Sequence, residues 1–153
     1  MEIKRKFFMD GFPEGLPQLR AAAVEQGYLS VAPAVRIRRT EDERGVQYEL
    51  TVKSVGTLVR EEVELPLTEE QYVRLAALLP RPPVRKDYRV YDMDGWRLEC
   101  SLVDSGTPDA FYYAEVEFDS EDAARAFVPP ALLGRDVTEE PGYTMAEYWA
   151  RHL

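Results

Sequence analysis

The chain has 153 residues, 45% of them hydrophobic and 31% charged, which suits a single packed domain over 1–153 and excludes a compositionally disordered chain. With 28 acidic against 19 basic residues the net charge is −9, which argues against a general nucleic-acid coat but leaves room for a basic pocket inside an acidic shell. The lone Cys100 rules out an intramolecular disulfide, the lone His152 rules out a His-rich metal centre, and no apolar run approaches the length of a spanning helix. The charged start, MEIKRKFFMDGFPEG, lacks the apolar stretch of a signal peptide, so the expectation is a reduced, cytoplasmic protein with no membrane partner.

In chain order, segment 2–8 alternates Glu2, Lys4 and Lys6 against Ile3, Arg5 and Phe7, the period of a strand. Residues 19–26 are Ala-rich and predict a short helix closing near Gly27. Segments 34–39, 46–53 and 58–65 return to period two. Thr68-Glu69-Glu70-Gln71 is a capping box that opens a helix through Tyr72, Leu75 and Leu79. Pro80-Arg81-Pro82-Pro83 reads as a stiff connection between halves of one fold. Strands follow at 84–91, 96–103 and 111–118, the first two joined at Asp94-Gly95. Ser120 opens a helix stopped by Pro129-Pro130, and Thr144-Met145-Ala146-Glu147 opens a last one. Cys100 alternates with Leu98 and Leu102 and is read as core; His152 is read as a residue of a fraying helix end.

The polar faces of these strands are unusual. They carry Glu2, Lys4, Lys6, Arg36, Arg38, Glu49, Lys53, Arg60, Glu62, Glu64, Glu99, Glu115 and Glu117, with acids and bases spaced by two so that neighbours point the same way. One reading is a solvated face laced with cross-strand ion pairs. The other closes the sheet and turns the charges inward, where cations would hold a polyanion and carboxylates a hard metal such as Mg²⁺ or Mn²⁺. That combination serves phosphoryl transfer, which needs positioning and charge neutralisation. No phosphate-binding glycine loop, H-E-x-x-H or paired C-x-x-C competes with it.

The motifs resemble those of the CYTH superfamily, the triphosphate tunnel metalloenzymes. Glu2 to Phe7 is similar to its E-x-E-x-K signature, Gln26 to Leu29 to the segment before its second strand, and Val35-Arg36-Ile37-Arg38 to its V-R-I-R strand. Glu49 to Lys53, Arg60 to Glu64, Ala114 to Phe118 and Leu133 to Thr138 resemble further family segments, in order along nearly the whole chain. The resemblance implies an α+β fold: an eight-stranded antiparallel β-barrel, or tunnel, with flanking helices. It implies metal-dependent cleavage of a small triphosphate, inorganic triphosphate first among them. Glu2, Glu62, Glu64, Glu115 and Glu117 would hold metal. Lys4, Arg36, Arg38, Lys53, Arg60, Lys86 and Arg89 would bind substrate, and Lys6 and Glu117 are the catalytic candidates. Tyr143 and the 144–153 helix would plug one tunnel end.

The departures from the family pattern carry information of their own. Lys4 stands where the motif has its central Glu, Ser101 replaces an acid, and the K-x-R pattern becomes Lys86-Asp87-Tyr88 with Arg89 one place late. Fewer carboxylates mean weaker metal binding, which keeps open a second reading: a non-catalytic module that binds triphosphate, nucleotide or polyphosphate.

Overall fold

A computed structural model describes residues 1–153. The strands are β1 (Glu2–Met9), β2 (Gln18–Val31), β3 (Ala34–Asp42), β4 (Gly45–Lys53), β5 (Val59–Arg60), β6 (Glu62–Pro66), β7 (Val84–Met93), β8 (Trp96–Val103) and β9 (Phe111–Glu117). The helices are α1 (Glu69–Ala76), α2 (Glu121–Ala126) and α3 (Met145–Arg151). All strands join one antiparallel sheet in the order β5-β1-β9-β8-β7-β2-β3-β4-β6.

The two ends of that sheet are consecutive in the chain, separated by Glu61 alone. The stretch expected as one strand at 58–65 is therefore split. Arg60 pairs with Glu2 of β1 on one side, and Glu62 with Lys53 of β4 on the other. Ser54 holds the break, its N–H donating to Glu61 O at 3.0 Å and its Oγ accepting from Glu61 N at 3.0 Å. The split strand closes the sheet into a barrel, so the expected eight strands become nine with the architecture unchanged.

The helix expected at 19–26 is instead part of β2. Arg20, Ala22, Val24, Gln26 and Tyr28 alternate inward, and β2 pairs along its length with β3 and β7. Alanine favours helix only weakly, and two strand partners outweigh that preference. The other expected helices form. Thr68 and Gln71 exchange both capping-box bonds, and Ser120 Oγ accepts from Ala123 N. At the last helix, Thr144 Oγ1 accepts from Glu147 N and donates to Glu147 Oε1. At the β7–β8 turn, Asp94 and Gly95 adopt φ of 50° and 88°, the left-handed pair that a two-residue hairpin needs.

The apolar core lies outside the barrel wall and at one of its ends. Phe7, Leu98, Cys100, Ala114 and Val116 pack beneath Ala124 of α2, with the rings of Phe118 and Phe127 set obliquely and edge-on against Trp96. Burial pushes the Cys100 thiol up to about 12, as suits a packed side chain. A second cluster sets Met145, Ala146, Tyr148 and Trp149 of α3 against Tyr28, Ala34, Val84, Val103 and Tyr113. Fully burying a side chain as large as that of Trp149 contributes about 2–3 kcal/mol. Segment 134–138 clasps β1: Gly134 N donates to Phe8 O, Phe8 N to Arg135 O and Val137 N to Lys6 O. No helix is long and apolar enough to cross a membrane.

Candidate active site

Closing the sheet settles which way the charged faces point. The barrel encloses a cavity of about 1410 Å³ lined by Glu2, Lys4 and Lys6 of β1, Arg20, Gln26 and Tyr28 of β2, and Arg36 and Arg38 of β3. Lys53, Arg60, Glu62, Glu64, Lys86, Tyr88, Glu99, Ser101, Tyr113, Glu115 and Glu117 complete the wall. Tyr143 and the first turn of α3, Thr144 to Glu147, also line the cavity, so the last helix plugs one end.

The interior is electrically divided. On one side Glu2, only 5% exposed, receives Lys53 Nζ at 3.0 and 3.3 Å and an Arg60 nitrogen at 3.4 Å. Lys4 Nζ lies 3.7 Å from Glu2 and 3.2 Å from Glu99, whose other oxygen accepts from Tyr88 Oη at 2.7 Å. On the other side the cations meet mostly neutral partners. Arg38 donates twice to the side-chain oxygen of Gln26, at 2.8 and 3.1 Å. Arg36 donates to Thr51 Oγ1 at 3.1 Å, with Glu49 at 3.4 Å, while Lys86 contacts Tyr113 Oη and Lys6 the Tyr143 carbonyl. The Nε atoms of Arg36 and Arg60 are buried with no partner, and an unmade bond to a buried donor is costly.

The proton affinities follow from this layout. Burial works against the Glu115 carboxylate, yet Lys4, Lys6, Lys53 and Lys86 outweigh it and hold its pKa at about 2. Burial also works against a charged Lys4, but Glu115, Glu99 and Glu2 hold it well above the usual lysine value. Burial, helped by Arg60 and Lys53, brings Lys6 down to about 8. Lys86 falls well below the ordinary value through burial and the nearby Arg38. Burial and a hydrogen bond with Glu64 raise Glu62 to about 7. Lysines packed together at depressed proton affinity form a wall that a polyanion would relieve.

Every expected site residue except one lines the lumen. Arg89 is the correction. Lys86 and Arg89 are three apart, so on a strand they face opposite sides. Arg89 points outward, bonded to Asp87 at 3.0 and 3.3 Å and stacked on Phe12 at 3.9 Å. The inward neighbour of Lys86 is Tyr88. The expectation of a helix over 19–26 hides Arg20 and Gln26, and Tyr28 lies just beyond it, in a segment the resemblance treats only as the lead-in to a strand. Tyr113 was legible, since it sits two places before Glu115 on the same face.

The expected metal ligands fit a resident cation poorly. Their oxygens are the right chemistry for a hard ion. However, no three His, Cys, Asp or Glu side chains converge in the structure. Glu2 is already held by Lys4, Lys53 and Arg60, and Glu99 by Lys4.

No family model matches the chain. An inorganic triphosphatase of Nitrosomonas europaea is 38% identical over 143 residues, which is 93% of this chain and 92% of that protein. The chain belongs to the family of that enzyme. A crystal structure of the inorganic triphosphatase NE1496 superposes with a TM-score of 0.67 at 31% identity, covering 97% of this chain and 93% of that one. The PH1819 protein of Pyrococcus horikoshii OT3 has a TM-score of 0.61 at 18% identity over 82% of each chain, a likeness of fold alone. The triphosphatase family thus shares with this chain a nearly closed antiparallel barrel.

Proposed function

We propose that this protein hydrolyses the terminal phosphoanhydride of inorganic triphosphate inside the tunnel, as a member of the CYTH superfamily working in the cytoplasm. The observation that carries the reading is the convergence of Lys4, Lys6, Arg36, Arg38, Lys53, Arg60 and Lys86 on one cavity plugged at an end by α3. Seven cations lining one lumen neutralise a short polyphosphate, and the plug leaves no through-passage for a long one.

Arg36, Arg38 and Lys86 hold the inner phosphoryl groups on the side poor in acids. Lys53, Arg60 and Lys4 neutralise the remainder from the Glu2 side. Lys6 bridges the two, and Glu115 anchors the surrounding ammonium groups by its fixed charge. Glu117, an exposed lining residue paired in register with Lys4, orients the attacking water and takes its proton. The water oxygen bonds to the terminal phosphorus, the P–O–P bridge breaks, and pyrophosphate and orthophosphate leave. Because the carboxylates form no nest for a resident ion, we take Mg²⁺ or Mn²⁺ as part of the substrate, a metal–triphosphate complex that includes Glu62 and Glu64 among its neighbours.

The neutralised carboxylates favour one competing reading, a tunnel that binds triphosphate without cleaving it. Phosphate release from inorganic triphosphate in Mg²⁺, in Mn²⁺ and in EDTA, with melting temperature followed in the same samples, separates the two. Release supports hydrolysis. Stabilisation by triphosphate without release under any condition supports the binding reading, and neither effect refutes both.

A further inference from the structure

The inward positions of β1 are Glu2, Lys4 and Lys6, and the middle one takes a place where a cation is needed whatever its source. Lys4 Nζ is 3.2 Å from Glu99 Oε2 on β8 and 3.7 Å from Glu2 Oε2 on β1, and Lys4 pairs in register with Glu117 of β9. Two carboxylates, one on its own strand and one on β8, therefore flank an ammonium group that the chain itself supplies. A mobile ion seeking oxygen ligands here meets acids already satisfied. Glu62 and Glu64 of β6 make no ion pair within 4 Å; Glu62 sits beside Glu64 and Glu2, next to Lys53, and no three acids group as a metal nest.

We propose that Lys4 is a specificity-determining residue whose fixed charge takes the place of a divalent cation in holding the ligand, so that the tunnel takes up triphosphate whether or not a metal ion accompanies it. The proposal rests on the triphosphate reading above and deepens it. A further observation supports it. Lys4 is only 21% exposed and tied on both sides, so its charge is positioned before the ligand arrives. A carboxylate at position 4 would reverse the arrangement. Glu2, Glu99 and the new acid would repel one another, and only a cation from solution could reconcile them with a polyanion.

The test is calorimetric titration of the full chain with inorganic triphosphate, in excess EDTA and in Mg²⁺. Wild-type dissociation constants are expected to agree within about tenfold between the two conditions. Lys4→Glu is expected to weaken binding by about a hundredfold or more in EDTA and to recover in Mg²⁺. Mn²⁺ titrated alone and followed by electron paramagnetic resonance should bind Lys4→Glu more tightly than wild type. Lys4→Met, which keeps the bulk and removes the charge, gives a smaller loss in EDTA and stands in should Lys4→Glu fail to fold. Wild-type binding in Mg²⁺ but not in EDTA overturns this proposal and leaves the triphosphate reading standing. So does undiminished binding by the Lys4 variants in EDTA. Absence of triphosphate binding in both conditions overturns the triphosphate reading and this proposal with it.

Discussion

Replacing Glu2 by Gln removes the charge that ties together Lys4, Lys53 and Arg60 while preserving shape and one acceptor. Glu2 is 5% exposed and takes bonds at 3.0 to 3.4 Å from Lys53 and Arg60. Removing one partner of a buried ion pair strands the others and costs about 3–5 kcal/mol. The cations here keep side-chain exposures of 14–21%, so the lower end applies. A loss of about 3 kcal/mol in a chain of this size lowers the melting temperature by about 6–12 °C. The same change frees three cations that triphosphate would otherwise have to share with Glu2. The stabilisation by saturating triphosphate should therefore be larger in Glu2→Gln than in wild type. Differential scanning calorimetry in EDTA, with and without triphosphate, measures both. Acid titration adds a third readout. Burial works against the Glu2 carboxylate, but Lys4 and Lys53 outweigh it and hold its pKa below the ordinary value. Its contribution is thus complete above the ordinary carboxylate range and disappears as pH falls through the folded-state value, so the variant's stability should fall less on acidification. A drop of under about 2 °C would refute the energetic reasoning, and an unchanged triphosphate response would refute the claim that these cations face the ligand.

Lys6, brought down to about 8 by burial, should lose its charge as pH rises past that value, so triphosphate affinity measured by calorimetry falls by about tenfold toward pH 10, and Lys6→Arg abolishes the fall. The folding stability contributed by this group runs the other way: its folded pKa lies below the unfolded one, so the penalty present below pH about 8 fades as pH rises toward the ordinary lysine value. Lys86→Ala should weaken triphosphate binding by about tenfold or more, whereas Arg89→Ala, outside the wall, leaves it unchanged. A Cβ at Gly134 would lie 2.2 Å from the Phe8 carbonyl oxygen, so Gly134→Ala must push the 134–138 clasp off β1, at a cost of about 2–4 kcal/mol in chemical denaturation.

Where alternation was strict, the sequence was enough. Val35-Arg36-Ile37-Arg38 and Ala114-Glu115-Val116-Glu117 could be read residue by residue into wall and lumen. Their direction could not be read from alternation, because a charged strand face ordinarily meets water; the inward turn depends on pairings such as Lys4 with Glu117 and Glu2 with Arg60, which no local pattern reports. Residues 19–26 failed for a different reason. Three successive alanines blur the alternation, and the tunnel-lining Arg20 and Gln26 were lost with the strand. Arg89 failed on parity, since matching it to a motif one place early ignored that a one-residue slip changes the face. The carboxylates were found but not their partners: that Lys4 and Lys53 would hold Glu2 is a matter of side-chain reach across strands.

The seam that closes the barrel joins residues far apart in the chain. Strand β1 finds one neighbour in β5, nearly sixty residues on, and the other in β9, with Lys4 opposite Glu117. Such pairings are slow to form, because a long loop must close before any contact rewards it. During synthesis at about 5–20 residues per second, the first strand leaves the ribosome many seconds before its last partner. Until then Glu2, Lys4 and Lys6 are ordinary solvated side chains and no lumen exists. The anion-holding interior therefore comes into being as one of the last events of the chain's maturation, and a truncated product retains the charges without the chamber.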